Sequence, residues 1–168
     1  MVPSEACLQV GKKLRSNPKK ERRVSPLIKK NGIYHLDFQD LSKRLSQDDV
    51  HAFLLVNPHN PTGNCWTQND LKKVAEICEE KDVMLFCDEI HCDLILQDDL
   101  EHFHLASLNE YAKQNSITIL GPCKTFNLAG FPLAASIIPN KELREDFIQN
   151  TKGIVSHIDN LAFVASTA

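Results

Sequence analysis

Residues 51–91 read HAFLLVNPHNPTGNCWTQNDLKKVAEICEEKDVMLFCDEIH, and three signals in that run decide the fold. Residues 52–56 (AFLLV) and 83–87 (VMLFC) are apolar at consecutive positions, as strands covered on both faces are. Between them, Thr67 and Asp70 form a capping-box pattern with Asp in the place of Glu. It opens a helix to about Lys81, with Leu71, Val74, Ala75 and Cys78 inward. Upstream, Asp37 caps a short helix whose Phe38, Leu41 and Leu45 share a face. Downstream the spacing predicts a helix over 105–113, strands over 116–120 and 133–138, and a helix from Asn140 to about Lys152. The last residues, from Ile158 to Ala168, read as a helix cut in mid-course. Alternating strands and helices define an α/β layer with a largely parallel sheet.

Composition agrees with one globular unit. The 168 residues are 42% hydrophobic and 24% charged, which suits a packed core and fits neither disorder nor a collagen repeat. No apolar run reaches the roughly 18 residues of a membrane span, and the start shows no secretory pattern. Six cysteines form no CxxC pair, so the expectation is reduced thiols in a cytoplasmic protein. His91-Cys92 and His102-x-His104 lack a second pair at ligand spacing, so no metal is expected.

Charge is uneven. Residues 12–30 hold nine of the 19 Lys and Arg against one acid, which leaves that segment at +8 and the remainder at −11. Such an arm can meet phosphates, but it has no aromatic residue to stack bases, and Pro18 and Pro26 interrupt a helix. A solvated lead-in over residues 1–23 is the expectation, with nucleic acid not a partner.

The chemistry-bearing residues fall just after the strands, the edge where open α/β sheets bind ligands. Asn57 to Gly63 is a turn fixed by two prolines and a glycine, and its Asn60 can both donate and accept. Asp88-Glu89-Ile90-His91 ends a very apolar strand, where a carboxylate is costly without a cation. Gly121 to Asn127 places Lys124 after another strand, and a partly desolvated lysine is a nucleophile for Schiff-base chemistry. A buried Asp88–Lys124 ion pair would explain two of these features without catalysis.

Taken together, NPHNPTG, DEIHCDL and KTFNLAG resemble the fold-type I pyridoxal-phosphate enzymes of the aspartate aminotransferase superfamily, and within it the cystathionine β-lyase-like C–S lyases. The resemblance runs from about Val24 to the end, so residues 24–168 form a partial large domain of a three-layer, mainly parallel α/β sandwich, and residues 1–23 stay unassigned. It implies that Lys124 holds pyridoxal 5'-phosphate as a Schiff base. Asp88 would pair with the pyridine nitrogen, Asn60 would bond the ring's 3-oxygen, and His91 would lie beside it. The family places serine directly before the lysine to bond the cofactor phosphate. Here Cys123, a weaker donor, stands there. The phosphate-binding turn, the stacking aromatic residue and the carboxylate-binding arginine of the family lie outside this chain.

The resemblance thus implies a C–S β-lyase for a sulfur-containing amino acid, a homodimer when intact, and no turnover from this fragment alone. An aminotransferase using the same residues is the first alternative. The other is a non-catalytic remnant that binds through its basic arm.

Overall fold

The run quoted above folds as strand, helix, strand in the computed structural model, which describes residues 5–10, 22–131, 133–155 and 157–167. In chain order the elements begin with strands β1 (Glu5–Val10), β2 (Arg22–Pro26), β3 (Ile28–Lys30) and β4 (Ile33–His35). Helix α1 (Phe38–Leu45), strand β5 (Val50–Val56), helix α2 (Gln68–Glu80) and strand β6 (Met84–Asp88) follow. Helix α3 (Glu110–Gln114), strand β7 (Ser116–Leu120), short helix α4 (Pro122–Thr125) and strand β8 (Ala135–Ile137) come next, then helices α5 (Lys141–Thr151) and α6 (Asn160–Thr167).

Six strands form one sheet in the order β2-β1-β5-β6-β7-β8. Its centre, β5-β6-β7, is parallel, whereas β1 runs antiparallel to β2 and β5, and β8 runs antiparallel to β7. β3 and β4 make a separate hairpin. Its two-residue turn, Asn31-Gly32, has positive φ at both positions (50° and 84°), which Asn and Gly tolerate and most side chains do not.

The core lies on one face of the sheet. Phe53 and Leu55 from β5 and Leu85 and Cys87 from β6 are buried beneath Leu41 and Leu45 of α1 and Leu71, Val74, Ala75 and Cys78 of α2. The alternate residues Leu54, Met84 and Phe86 point to the other face and are only half-buried. Asp37 caps α1 by accepting from Gln39 N and Asp40 N, and the Thr67–Asp70 capping box on α2 is complete on both sides.

Three expectations shift. The helix expected over 105–113 is two pieces, a single 3-10 turn at Leu105–Ser107 and then α3, because the Asn109 side chain accepts from Ala112 N and starts a new helix. The strand expected over 133–138 is shorter, and its three residues are exposed. Within the lead-in, Glu5–Val10 is an inner strand of the sheet, and Arg22–Pro26 forms its edge. Arg23 there pairs both guanidinium nitrogens with Asp49, at 2.9 and 2.7 Å. Most of the basic cluster, from Lys12 to Lys20, lies outside the described residues. Among those described, no helix is long and apolar enough to cross a membrane.

Candidate active site

The parallel strands β5, β6 and β7 end side by side, and the hydrogen-bond ladder continues past their ends. Asn57 N donates to Asp88 O, and Glu89 N donates to Ile119 O, both at 3.0 Å. The turn after β5 is closed by His59 N to Asn64 O and by Gly63 N to His59 O, both 2.7 Å. Its Asn57–Pro58 and Asn60–Pro61 bonds are cis, and Gly63 adopts φ 75°. The Asn57 side chain accepts from Trp66 N at 3.0 Å, while the indole donates to Val56 O at 2.9 Å. This frame leaves Asn60 exposed at the tip. Asn60 and His91 line one cleft of about 440 Å³, whose walls include Cys65, Ile95 and Leu100.

Asp88 is half-buried at the end of β6. Its Oδ1 accepts from Ile90 N at 3.4 Å, and no cation pairs with it among the described residues. The Asp88–Lys124 ion pair that would have made these residues purely structural is therefore not formed. Lys124, on α4 just after β7, is exposed, so the expected desolvation is not met within this chain. The half-buried Cys123 precedes it. Two contacts set the position of α4. Thr125 Oγ1 donates to Asp93 Oδ2 at 3.1 Å, in the turn that follows Asp88. At Gly121 a Cβ would come within 2.9 Å of Leu133 O, so the close approach of β7's end to the chain before β8 needs glycine.

One cluster escaped sequence reasoning. Glu89, 1% exposed, binds His102 Nε2 at 3.2 Å and His104 Nδ1 through the same oxygen, while its Oε1 accepts from Leu105 N at 3.3 Å. Burial alone pushes the Glu89 carboxyl up, but hydrogen bonds from His102 and His104 outweigh it and hold the group below the usual carboxylate range. His102 Nδ1 in turn accepts from Asn57 Nδ2 at 3.4 Å. The HxH spacing was visible in the sequence. Its carboxylate partner, thirteen residues upstream of His102, was not.

The parallel strands thus carry a carboxylate, an amide and a lysine just past their carboxyl ends, the edge at which open α/β sheets bind ligands, although only Asn60 and His91 line a common cleft. The sequence matches the family Aminotransferase class I and II over residues 22–168, and the chain belongs to that family. It is 44% identical over 123 residues to cystathionine beta-lyase PatB of Bacillus subtilis, covering 73% of this chain and 32% of PatB. It is 32% identical over 111 residues to glutamate-pyruvate aminotransferase AlaA of Haemophilus influenzae, covering 66% of this chain and 25% of that protein. The crystal structure of cystalysin from Treponema denticola, which contains a pyridoxal 5'-phosphate cofactor, superposes with a TM-score of 0.81 at 36% identity. That match covers 84% of this chain and 36% of cystalysin, so the chain spans about a quarter to a third of the length of these relatives.

Proposed function

We propose that this chain is part of a pyridoxal-phosphate-dependent C–S β-lyase that acts on a sulfur-containing amino acid. The observation that carries the reading is Asp88, a half-buried carboxylate at the carboxyl edge of the sheet with no cation beside it among the described residues. A protonated pyridine nitrogen is the partner such a carboxylate suits. When bound, pyridoxal phosphate supplies an electron sink for negative charge developing at a substrate Cα. Asp88 would accept a hydrogen bond from the ring N–H and so keep that nitrogen positive. The Asn60 amide would donate to the ring oxygen, and His91 lines the same cleft as Asn60. Lys124 Nζ would hold the cofactor and would then be the base that moves the proton at Cα. Cys123 lies next to it as a weak donor for a phosphate oxygen.

The lyase assignment is supported by the 44% identity to PatB and by His91, which stands where aminotransferases usually have tyrosine. An aminotransferase is the second reading, favoured by the 32% identity to AlaA. An amino-acid substrate is common to both, and a cytoplasmic homodimer is the assembly proposed for the intact protein.

Borohydride reduction of the chain after incubation with pyridoxal phosphate tests the site. A pyridoxyl adduct on Lys124 alone, absent in Lys124→Ala, is expected, and adducts spread over surface lysines would refute the assignment. In the full-length protein, release of thiol and pyruvate from cystathionine supports the lyase, and keto-acid exchange without thiol supports the aminotransferase.

A further inference from the structure

We propose that Glu89, His102 and His104 form a binding site for a divalent transition metal, with Zn²⁺ the best fit. One carboxylate oxygen and two imidazole nitrogens, Glu89 Oε2, His102 Nε2 and His104 Nδ1, lie within 4.8 Å of one another. That donor set is what Zn²⁺ and its first-row neighbours take, with ligand distances of about 2.0–2.2 Å. Donors on one such ion stand roughly 3–3.5 Å apart, so the present spacing needs only small shifts. His104 can supply them, because its side chain is 50% exposed, whereas His102 (7%) and Glu89 (1%) are held in the protein. The two rings already meet edge to face, with centroids 4.8 Å apart, and leave the carboxylate between them.

The anchors are preorganised. Glu89 follows β6 directly, its N–H donates to Ile119 O, and its second oxygen is taken by Leu105 N. Solvent reaches the cluster from the His104 side, through a cleft lined by Cys92, Leu120 and Gly121, which leaves room for a water as fourth ligand.

Proton bookkeeping is closed. In the metal-free chain both rings donate to Glu89, His102 from Nε2 and His104 from Nδ1. A ring that binds the metal does so through a nitrogen without a proton, so each would carry its N–H on the other nitrogen. For His104 that nitrogen is free to meet water. For His102 it costs the 3.4 Å contact with Asn57 Nδ2, the longest in the cluster, while Asn57 keeps its bonds to Phe103 O and Trp66 N. This cost makes the site a moderate binder rather than a permanent structural zinc.

Equilibrium dialysis of the EDTA-stripped chain against Zn²⁺, and against Co²⁺ with its visible absorption bands, tests the site, and both report per chain whatever the association state. One ion per chain and tetrahedral Co²⁺ bands are expected. His104→Gln keeps an N–H for Glu89 but replaces the imidazole by an amide, and it should weaken binding at least about tenfold. His157→Ala, at an exposed histidine outside the cluster, should leave binding unchanged. No retained metal, or equal retention in His104→Gln and the unsubstituted chain, would overturn the proposal. Neither outcome bears on Lys124 or Asp88, which contribute no ligand.

Discussion

Asp40 shows how much one side chain can gather. Its Oδ2 accepts from Arg44 Nε at 2.6 Å and from Ser25 Oγ at 2.7 Å, which ties α1 to the edge strand β2. Burial raises its carboxyl, but the Arg44 guanidinium and the Ser25 hydroxyl lower it further, so it sits below the usual range. A carboxylate with a depressed folded value contributes stability above its unfolded value of about 3.9, and that contribution is lost as pH falls through the lower folded value. Asp40→Asn should therefore cost about 1 kcal/mol near neutral pH, discounted for the pair's partial exposure, and almost nothing near pH 2. Urea midpoints at the two pH values check this, and an equal cost at both would show that the charge is not what matters. The thiols divide in the same physical way. Burial pushes the Cys78 thiol up to about 12 and raises Cys87 as well, with the Glu89 charge adding to the latter. Iodoacetamide at neutral pH should modify Cys123 while leaving Cys78 and Cys87 untouched until urea unfolds the chain. Mass spectrometry of the alkylated chain reads the order, and early labelling of Cys78 would mean that the α2 face is open.

Elements were legible where their signals are local. The caps at Asp37 and Thr67 each accept the backbone N–H groups their sequence positions imply, and the inward face of α2 is the one its spacing selects. What could not be read depends on distant partners. β1 and β2 carry no strong alternation and are strands because β5 offers β1 an edge. The same holds for the site. Asp88, Asn60 and His91 could be placed from motifs next to strands, but the meeting of Glu89 with His102 and His104 needs the loop before α3 to fold back over the end of β6. The exposure of Lys124 was equally hidden, since it depends on what covers α4 rather than on the residues around it. Two substitutions in α2 separate local from tertiary contributions. Thr67→Ala removes the acceptor for Asp70 N and should cost about 1 kcal/mol. Leu71→Ala empties a fully buried position under the sheet and should cost about 3 kcal/mol. Equal costs in urea melts would mean that α2 is held by its cap and barely by its packing.

At the scale of the molecule, one face of the sheet is covered and the other carries half-buried Leu54, Met84 and Phe86. Exposed Ile154, Val155, Ile158, Leu161, Phe163 and Val164 add a second apolar surface around α6. Apolar area on this scale, together with an exposed edge strand at β8, drives association in water. The chain alone should sediment as concentration-dependent oligomers, and a single monomeric species with a sharp cooperative melt would contradict this. The one-sided core also sets an order of events in time. Phe53 and Leu85 sit between the sheet and α2, so their amide protons reach solvent only when the whole β5-α2-β6 unit comes apart. The amides of β8 have no such cover and should exchange with deuterium through local opening alone. A pulse of D₂O would thus divide a single sheet into a slow centre and a fast margin, and the boundary between them would fall across β7.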